Sequence, residues 1–177
     1  MSAMKRVLLL GVLAVFTAGC GESSQERPGQ ASQEPLVSVS EPTASEPLTK
    51  DEYQQAILEV RERAGPAESL YGDLVVDKLP QEQCAEKARR FHAALVGIVS
   101  DVEALMPPAG VAALQERFLV AARESVDEVG RVVERVEAGE LRCGDELNSA
   151  LYGLPSTDRA NAVLSELESK GYFVFGE

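Results

Sequence analysis

The sequence predicts an all-α fold, an irregular bundle of four or five helices behind a disordered N-terminal tether. Three observations carry that reading. Apolar residues recur at steps of three and four through most of the region from Lys50 to Glu177. Proline and glycine interrupt the pattern at helix-length intervals. No stretch shows repeated strand alternation joined by hairpin turns.

The elements follow in order. Thr49 stands three residues before Glu52, the spacing of a capping box, in which each residue's side chain satisfies the other's backbone N–H. Tyr53, Ile57, Val60 and Ala64 then mark one helix face. Gly65-Pro66 is expected to stop this helix, because proline removes a backbone donor and its ring crowds the preceding turn. Leu70, Tyr71, Leu74 and Val75 suggest a separate, shorter helical piece, weakened by Gly72. Pro80 opens the clearest pattern: Cys84, Ala88, Phe91, Leu95, Ile98, Val102 and Leu105 alternate steps of four and three until Pro107-Pro108.

A third helix follows, striped by Val111, Leu114, Phe118, Ala122, Ser125, Val129, Val132 and Val136. Leu119, Val126 and Val133 widen its stripe to roughly three positions in seven, the breadth of a bundle core rather than of a two-stranded coiled coil. Gly139 marks its end. Leu147, Ala150 and Leu151 suggest a short helix stopped by Gly153 and Pro155. Ser156 or Thr157 is expected to cap a final helix with Ala160, Val163, Leu164 and Leu167 inward and Gly171 at its end. The closing apolar residues from Tyr172 to Phe175 have no evident partner strand and are expected to lie on the bundle.

The N-terminal third reads differently. Lys5 and Arg6 precede ten uncharged residues, Val7 to Phe16. Ten residues are too few to span a bilayer, which needs about 20, but they suit an export signal. Thr17-Ala18-Gly19-Cys20 resembles the lipobox of bacterial lipoproteins, with Thr17 where that motif favours leucine. The resemblance covers only these first residues. It implies that residues 1–19 are a cleaved signal peptide and that the Cys20 sulfur carries a diacylglycerol, with a further fatty acyl chain (commonly palmitate) on the new amine. Gly21, rather than aspartate, implies transfer to the outer membrane if the source has two membranes.

Residues 21–49 hold four prolines, six serines and five glutamates against one arginine. Such a stretch buries too little apolar surface to offset its ordering entropy. The expected organisation is therefore a signal peptide (1–19), a lipidated cysteine and tether (20–49), and a helical bundle domain (50–177).

The chain of 177 residues has a formal net charge of −12, and without Lys5 and Arg6 15 basic residues face 29 acidic ones. That balance excludes nucleic acid as a partner and disfavours anionic headgroups. With Cys20 assigned to lipid, Cys84 and Cys143 remain as an even pair in an oxidising compartment, where a disulfide is expected. Folding the second and third helices back at Pro107-Pro108, and letting the chain return after Gly139, permits that bond within helical rise and extended reach. Two buried free thiols are the alternative. Two cysteines and the single His92 at scattered positions do not make a metal site.

No residue is nominated as catalytic or cofactor-binding. The sequence has no GxGxxG opening a helix, no P-loop and no HExxH. His92 lies at the flank of an apolar stripe and reads as a boundary residue. Glu59–Arg63, Glu86–Arg90 and Asp127–Arg131 have the spacing of solvated pairs within helices. The expected function is a lipid-anchored extracytoplasmic domain that acts through contact with an envelope protein, as adaptor, inhibitor or structural subunit. The alternative is an enzyme or small-ligand carrier working on envelope material through carboxylates that the pattern does not single out.

Overall fold

The computed structural model describes residues 46–76 and 79–172. Among them are five α-helices, α1 (Lys50–Val76), α2 (Gln81–Glu103), α3 (Ala112–Glu137), α4 (Asp145–Tyr152) and α5 (Pro155–Ser169), and no strand. The all-α bundle expected from the sequence is the fold observed. The signal-like segment, Cys20 and its flanks, and residues 173–177 lie outside the described residues.

α1 begins as its capping box requires. Thr49 N–H donates to a Glu52 carboxylate oxygen at 2.8 Å, and Glu52 N–H donates back to the Thr49 hydroxyl at 3.3 Å. The Thr49 hydroxyl also donates to that carboxylate oxygen at 2.7 Å, and this bond, together with the one from Thr49 N–H, holds the Glu52 carboxyl below its ordinary range. The packed chain starts slightly earlier than Thr49: Leu48 is half-buried and its N–H donates to Met106 O at 2.9 Å.

The expected stop at Gly65-Pro66 does not occur, and the two predicted pieces are one helix of 27 residues. Two physical reasons account for this. The ring of Pro66 points to solvent, while Tyr53, Val60, Ala64, Ala67 and Leu74 keep one continuous buried stripe through the proline. Gly65 has no Cβ to collide with the proline ring, so the helical conformation usually denied to a pre-proline residue stays open. Burial along the whole length then outweighs the lost hydrogen bond.

α1 packs on α2, α2 on α3, and α3 on α5, while α4 braces α1 and α3. α3 is the central helix and carries ten buried residues, among them Leu114, Leu119, Ala122, Ser125, Val129 and Val136. Its end has the pattern expected of Gly139. Gly139 has φ +75°, its N–H reaches Val136 O at 3.0 Å, and Glu140 N–H reaches Arg135 O at 2.9 Å. Gly171 repeats the arrangement after α5, with φ +77° and Tyr172 N–H on Leu167 O at 3.2 Å. Tyr172 is thereby turned inward and buried beside Leu167.

α5 starts one residue before the expected cap. Leu154 is the N-cap and Pro155 occupies the first turn, where its fixed φ and missing N–H cost nothing. Ser156 is instead fully buried and donates its hydroxyl to the Glu128 carboxylate on α3, and Thr157 faces Ser125. Tertiary bonds to α3 have claimed both hydroxyls.

The ion pairs also differ from the expected pattern. Arg63 pairs with Asp101 on α2 at 2.8 Å rather than with Glu59. Arg89–Glu137, Arg117–Glu166, Arg123–Glu103, Lys87–Asp73 and Arg159–Glu124 likewise join different helices. Each is a partly exposed pair of the kind worth about 0.2–1 kcal/mol. Their effect is to favour the observed helix order more than to stabilise any one helix.

Cys84 and Cys143 are brought together. Their sulfurs are 2.17 Å apart and their Cα atoms 5.8 Å apart, across 59 residues. Cys84 is fully buried in the first turn of α2. The loop carrying Cys143 is fixed further by Gly144 N–H on Leu74 O at 2.8 Å, which satisfies a carbonyl in the last turn of α1.

Candidate functional site: an apolar cleft between the first and last helices

The buried apolar residues form two clusters rather than one. The first centres on Phe91, Val136, Leu147 and the two cysteines; the second holds Tyr53, Val111, Leu114, Leu164, Leu167 and Tyr172. A cavity of about 140 Å³ lies along the bundle between its helices. On α1 it is lined by Tyr53, Ile57, Val60, Arg61 and Ala64; on α2 by Leu95, Ile98, Val99 and Val102. Gln115, Phe118, Ala122, Ser125, Val126 and Val129 of α3 form its floor. Leu151, Leu154, Thr157, Leu164 and Leu167 complete it.

Side-chain size explains the gap. Ala64, Ala122 and Ser125 face inward at the waist of the bundle, where a larger residue would close it. Helix order explains the opening. α1 is held by α2, and α5 by α3, but no Cα of α1 comes within 8 Å of one of α5. Side chains bridge the seam between α1 and α5 near the start of α1. There the Tyr53 and Tyr172 rings meet edge to face at 5.8 Å, and Lys50 Nζ sits 5.0 Å from the Tyr172 ring centre. Farther along, α1 is tied to α4 instead, where Tyr71 donates to Asn148 Oδ1 at 3.1 Å.

Several polar groups in this lining are committed to the protein itself. The Tyr53 hydroxyl donates to Gln115 Oε1 at 2.8 Å. Gln115 Nε2 in turn donates to Val102 O at 3.2 Å and Leu105 O at 3.0 Å, satisfying carbonyls at the end of α2. Burial, with the nearby Tyr172 ring adding to it, pushes the Tyr53 hydroxyl up to about 12. The Ser125 and Thr157 hydroxyls face each other at 3.4 Å. Among the described residues Arg61 is the one charged side chain of the lining, and no carboxylate belongs to it.

An engineered cavity of similar volume with apolar walls stays dry and admits benzene. The arrangement is therefore suited to taking an apolar guest by non-covalent contact.

Of the residues singled out from sequence, Cys84 and Cys143 meet at the corner of α1, α2 and α4, away from the cleft lining. Cys20 lies outside the described residues. His92 is half-buried against α3, its Nε2 only 3.2 Å from where a Cβ on Gly130 would stand. No group of three His, Cys, Asp or Glu side chains among the described residues is placed to hold a metal ion. No helix among them is long and apolar enough to cross a membrane. The exposed large hydrophobic residues, Val76, Val96, Met106, Val120 and Tyr152, are spread over four helices and a loop.

The chain matches no protein-family model, no curated protein and no solved structure. The functional reading therefore rests on this chain's own geometry.

The cleft itself was not legible as a site. Its walls are the residues that mark the helix stripes, and periodicity does not distinguish a filled core position from one facing a void. The available signal was size: Ala64, Ala122 and Ser125 are small residues in the middle of otherwise large stripes.

Proposed function

We propose that this protein is a lipid-anchored extracytoplasmic binding domain that holds a small apolar guest in the cleft between α1 and α5. The observation that carries the reading is the cleft: an apolar cavity of about 140 Å³ with, among the described residues, one charged side chain in its lining, and a seam along which no Cα of α1 comes within 8 Å of one of α5. The anchor rests on the resemblance of Thr17 to Cys20 to a lipobox. Two or more acyl chains at Cys20 would hold the domain stably at a membrane surface, and residues 21–49 supply the reach.

The test is a titration of the full chain, in lipid nanodiscs with empty nanodiscs as reference, with the small fluorescent apolar probe indole. Saturable enhancement that Ala122→Leu weakens at least tenfold supports the reading. Enhancement equal to that of empty nanodiscs rejects it. The anchor is checked separately by intact mass, where wild-type protein without added lipid contradicts it.

A second reading, contact with an envelope protein, draws on one corner of the bundle. Val76 is 77% exposed at the end of α1, and Tyr152 is 51% exposed on α4, which packs against α1. Val76→Glu together with Tyr152→Glu should abolish crosslinking to such a partner in intact cells, and unchanged crosslinking removes this reading.

A further inference from the structure

The polar groups that line the cleft are not equally occupied. Gln115 commits its oxygen to the Tyr53 hydroxyl and its amide protons to two carbonyls at the end of α2. Ser125 of α3 and Thr157 of α5 are different. Their hydroxyl oxygens face each other at 3.4 Å, whereas a well-formed bond between hydroxyls is about 2.7–2.8 Å long. Each hydroxyl carries one proton and two lone pairs. One mutual bond uses one proton and one lone pair, so the pair keeps a proton and three lone pairs for a third group.

Both residues belong to the cleft lining. Ser125 is buried and Thr157 half-buried. Their neighbours in the wall follow from helix spacing. Ala122 and Val129 stand one turn to either side of Ser125 on α3, and Leu154 stands three residues before Thr157; all three also line the cleft. The hydroxyl pair is thus a polar spot set in an apolar wall at the waist of the bundle. A polar group in such a wall is costly unless it is hydrogen-bonded, so the spot selects a guest that can bond to it.

Volume and charge narrow the guest further. About 140 Å³ is room for one compact ring system. Glu128 bonds to Ser156, the residue next to Thr157, so negative charge already stands close to the pair and disfavours an anion there.

We propose that the guest is a compact neutral aromatic ring bearing one hydroxyl, a phenol-type compound, with its ring at the waist between Ala64 and Ala122 and its hydroxyl on the Ser125–Thr157 pair. This rests on the cleft being a binding site. A guest oxygen about 2.8 Å from each of the two hydroxyl oxygens closes a triangle over the 3.4 Å gap. The three hydroxyls then form a ring in which each donates once and accepts once. In a wall without the pair, the guest hydroxyl would give up its bonds to water for nothing, and the cleft would favour a purely apolar ring.

Phenol and toluene differ by a hydroxyl in place of a methyl on the same ring, so comparing them isolates the pair. Both are titrated into the full chain in nanodiscs, with empty nanodiscs as reference. Binding is read from the methyl NMR shifts of Val126 and Val129, and urea unfolding verifies that each variant is folded. In Ser125→Ala with Thr157→Val, the affinity for phenol relative to toluene should fall by about tenfold, with toluene bound at least as tightly as in wild type. Thr157→Val alone, at a half-buried position, should lower the ratio in the same direction, and serves if the double variant does not fold. Thr157→Ser retains both hydroxyls and should keep most of the wild-type ratio. A ratio that removal of the hydroxyls leaves unchanged overturns the phenol assignment and leaves the cleft as a site for apolar rings. Absence of binding by both probes in wild type overturns the assignment and the cleft together.

Discussion

Tyr53 shows how one side chain joins core and cleft. Its ring packs on Tyr172, its hydroxyl reaches Gln115, and Gln115 secures the end of α2. Because burial favours the neutral phenol, its pKa is raised from 10.0 to about 12. A raised folded-state value means that the unfolded chain gives up the proton first. The stabilisation is therefore complete below about pH 10 and is lost as pH rises toward 12. Chemical denaturation across pH 9 to 12 should show this fall in wild type, and a much flatter curve in Tyr53→Phe. Equal slopes in the two proteins would remove Tyr53 as the cause. Ala122 is the converse case, a residue too small for its place. Ala122→Leu should fill part of the cavity and raise unfolding free energy by about 0.5–2 kcal/mol. A drop in stability would show that the waist is already packed.

At the scale of elements, Pro66 is the informative residue. A proline in a helix interior costs about 3 kcal/mol, and α1 retains it because its stripe is buried on both sides of the interruption. Pro66→Ala should therefore stabilise the protein by about 1–3 kcal/mol, read from the urea midpoint at unchanged slope. Destabilisation would mean that the proline's own geometry is needed for the packing of α1. The same residue shows what the sequence could reveal. Wherever period and punctuation agree, as in α2 between Pro80 and Pro107 or α3 up to Gly139, the elements follow from the residues alone. Where a local breaker opposes a long buried face, as at Gly65-Pro66, tertiary burial decides and the sequence misleads. The cap of α5 fails for a related reason, since Ser156 and Thr157 have partners on α3 that no local pattern reveals. The Cys84–Cys143 pairing was legible because reach and helix rise constrain it. The cleft was not, because it follows from which helices fail to meet.

At the scale of the molecule, the bundle is fastened at one end and open along one side. The pairing of Cys84 with Cys143 closes 59 residues and fixes the start of α2 to the corner where α4 meets α1. In the chain-entropy model a loop of that length is worth about 4 kcal/mol. Reduction, or the Cys84→Ala and Cys143→Ala pair, should lower stability by about 2–5 kcal/mol, while the cleft, lined by neither cysteine, should keep its affinity for an apolar probe wherever the protein remains folded. A probe affinity that falls in step with reduction at full folding would tie the cleft to that corner. Among the described residues no Cα of α1 comes within 8 Å of one of α5, which leaves a guest a way in.

The central claim is that this cleft takes an apolar guest. Methyl-resolved NMR of the full chain under dissolved xenon tests it most directly. The account predicts saturable shifts concentrated on the methyls of Ile57, Val60, Ile98, Val126 and Leu164, with little change at Val136 or Leu147 in the filled core. Shifts spread evenly over the core, or no saturable shift at the cleft methyls, would contradict it.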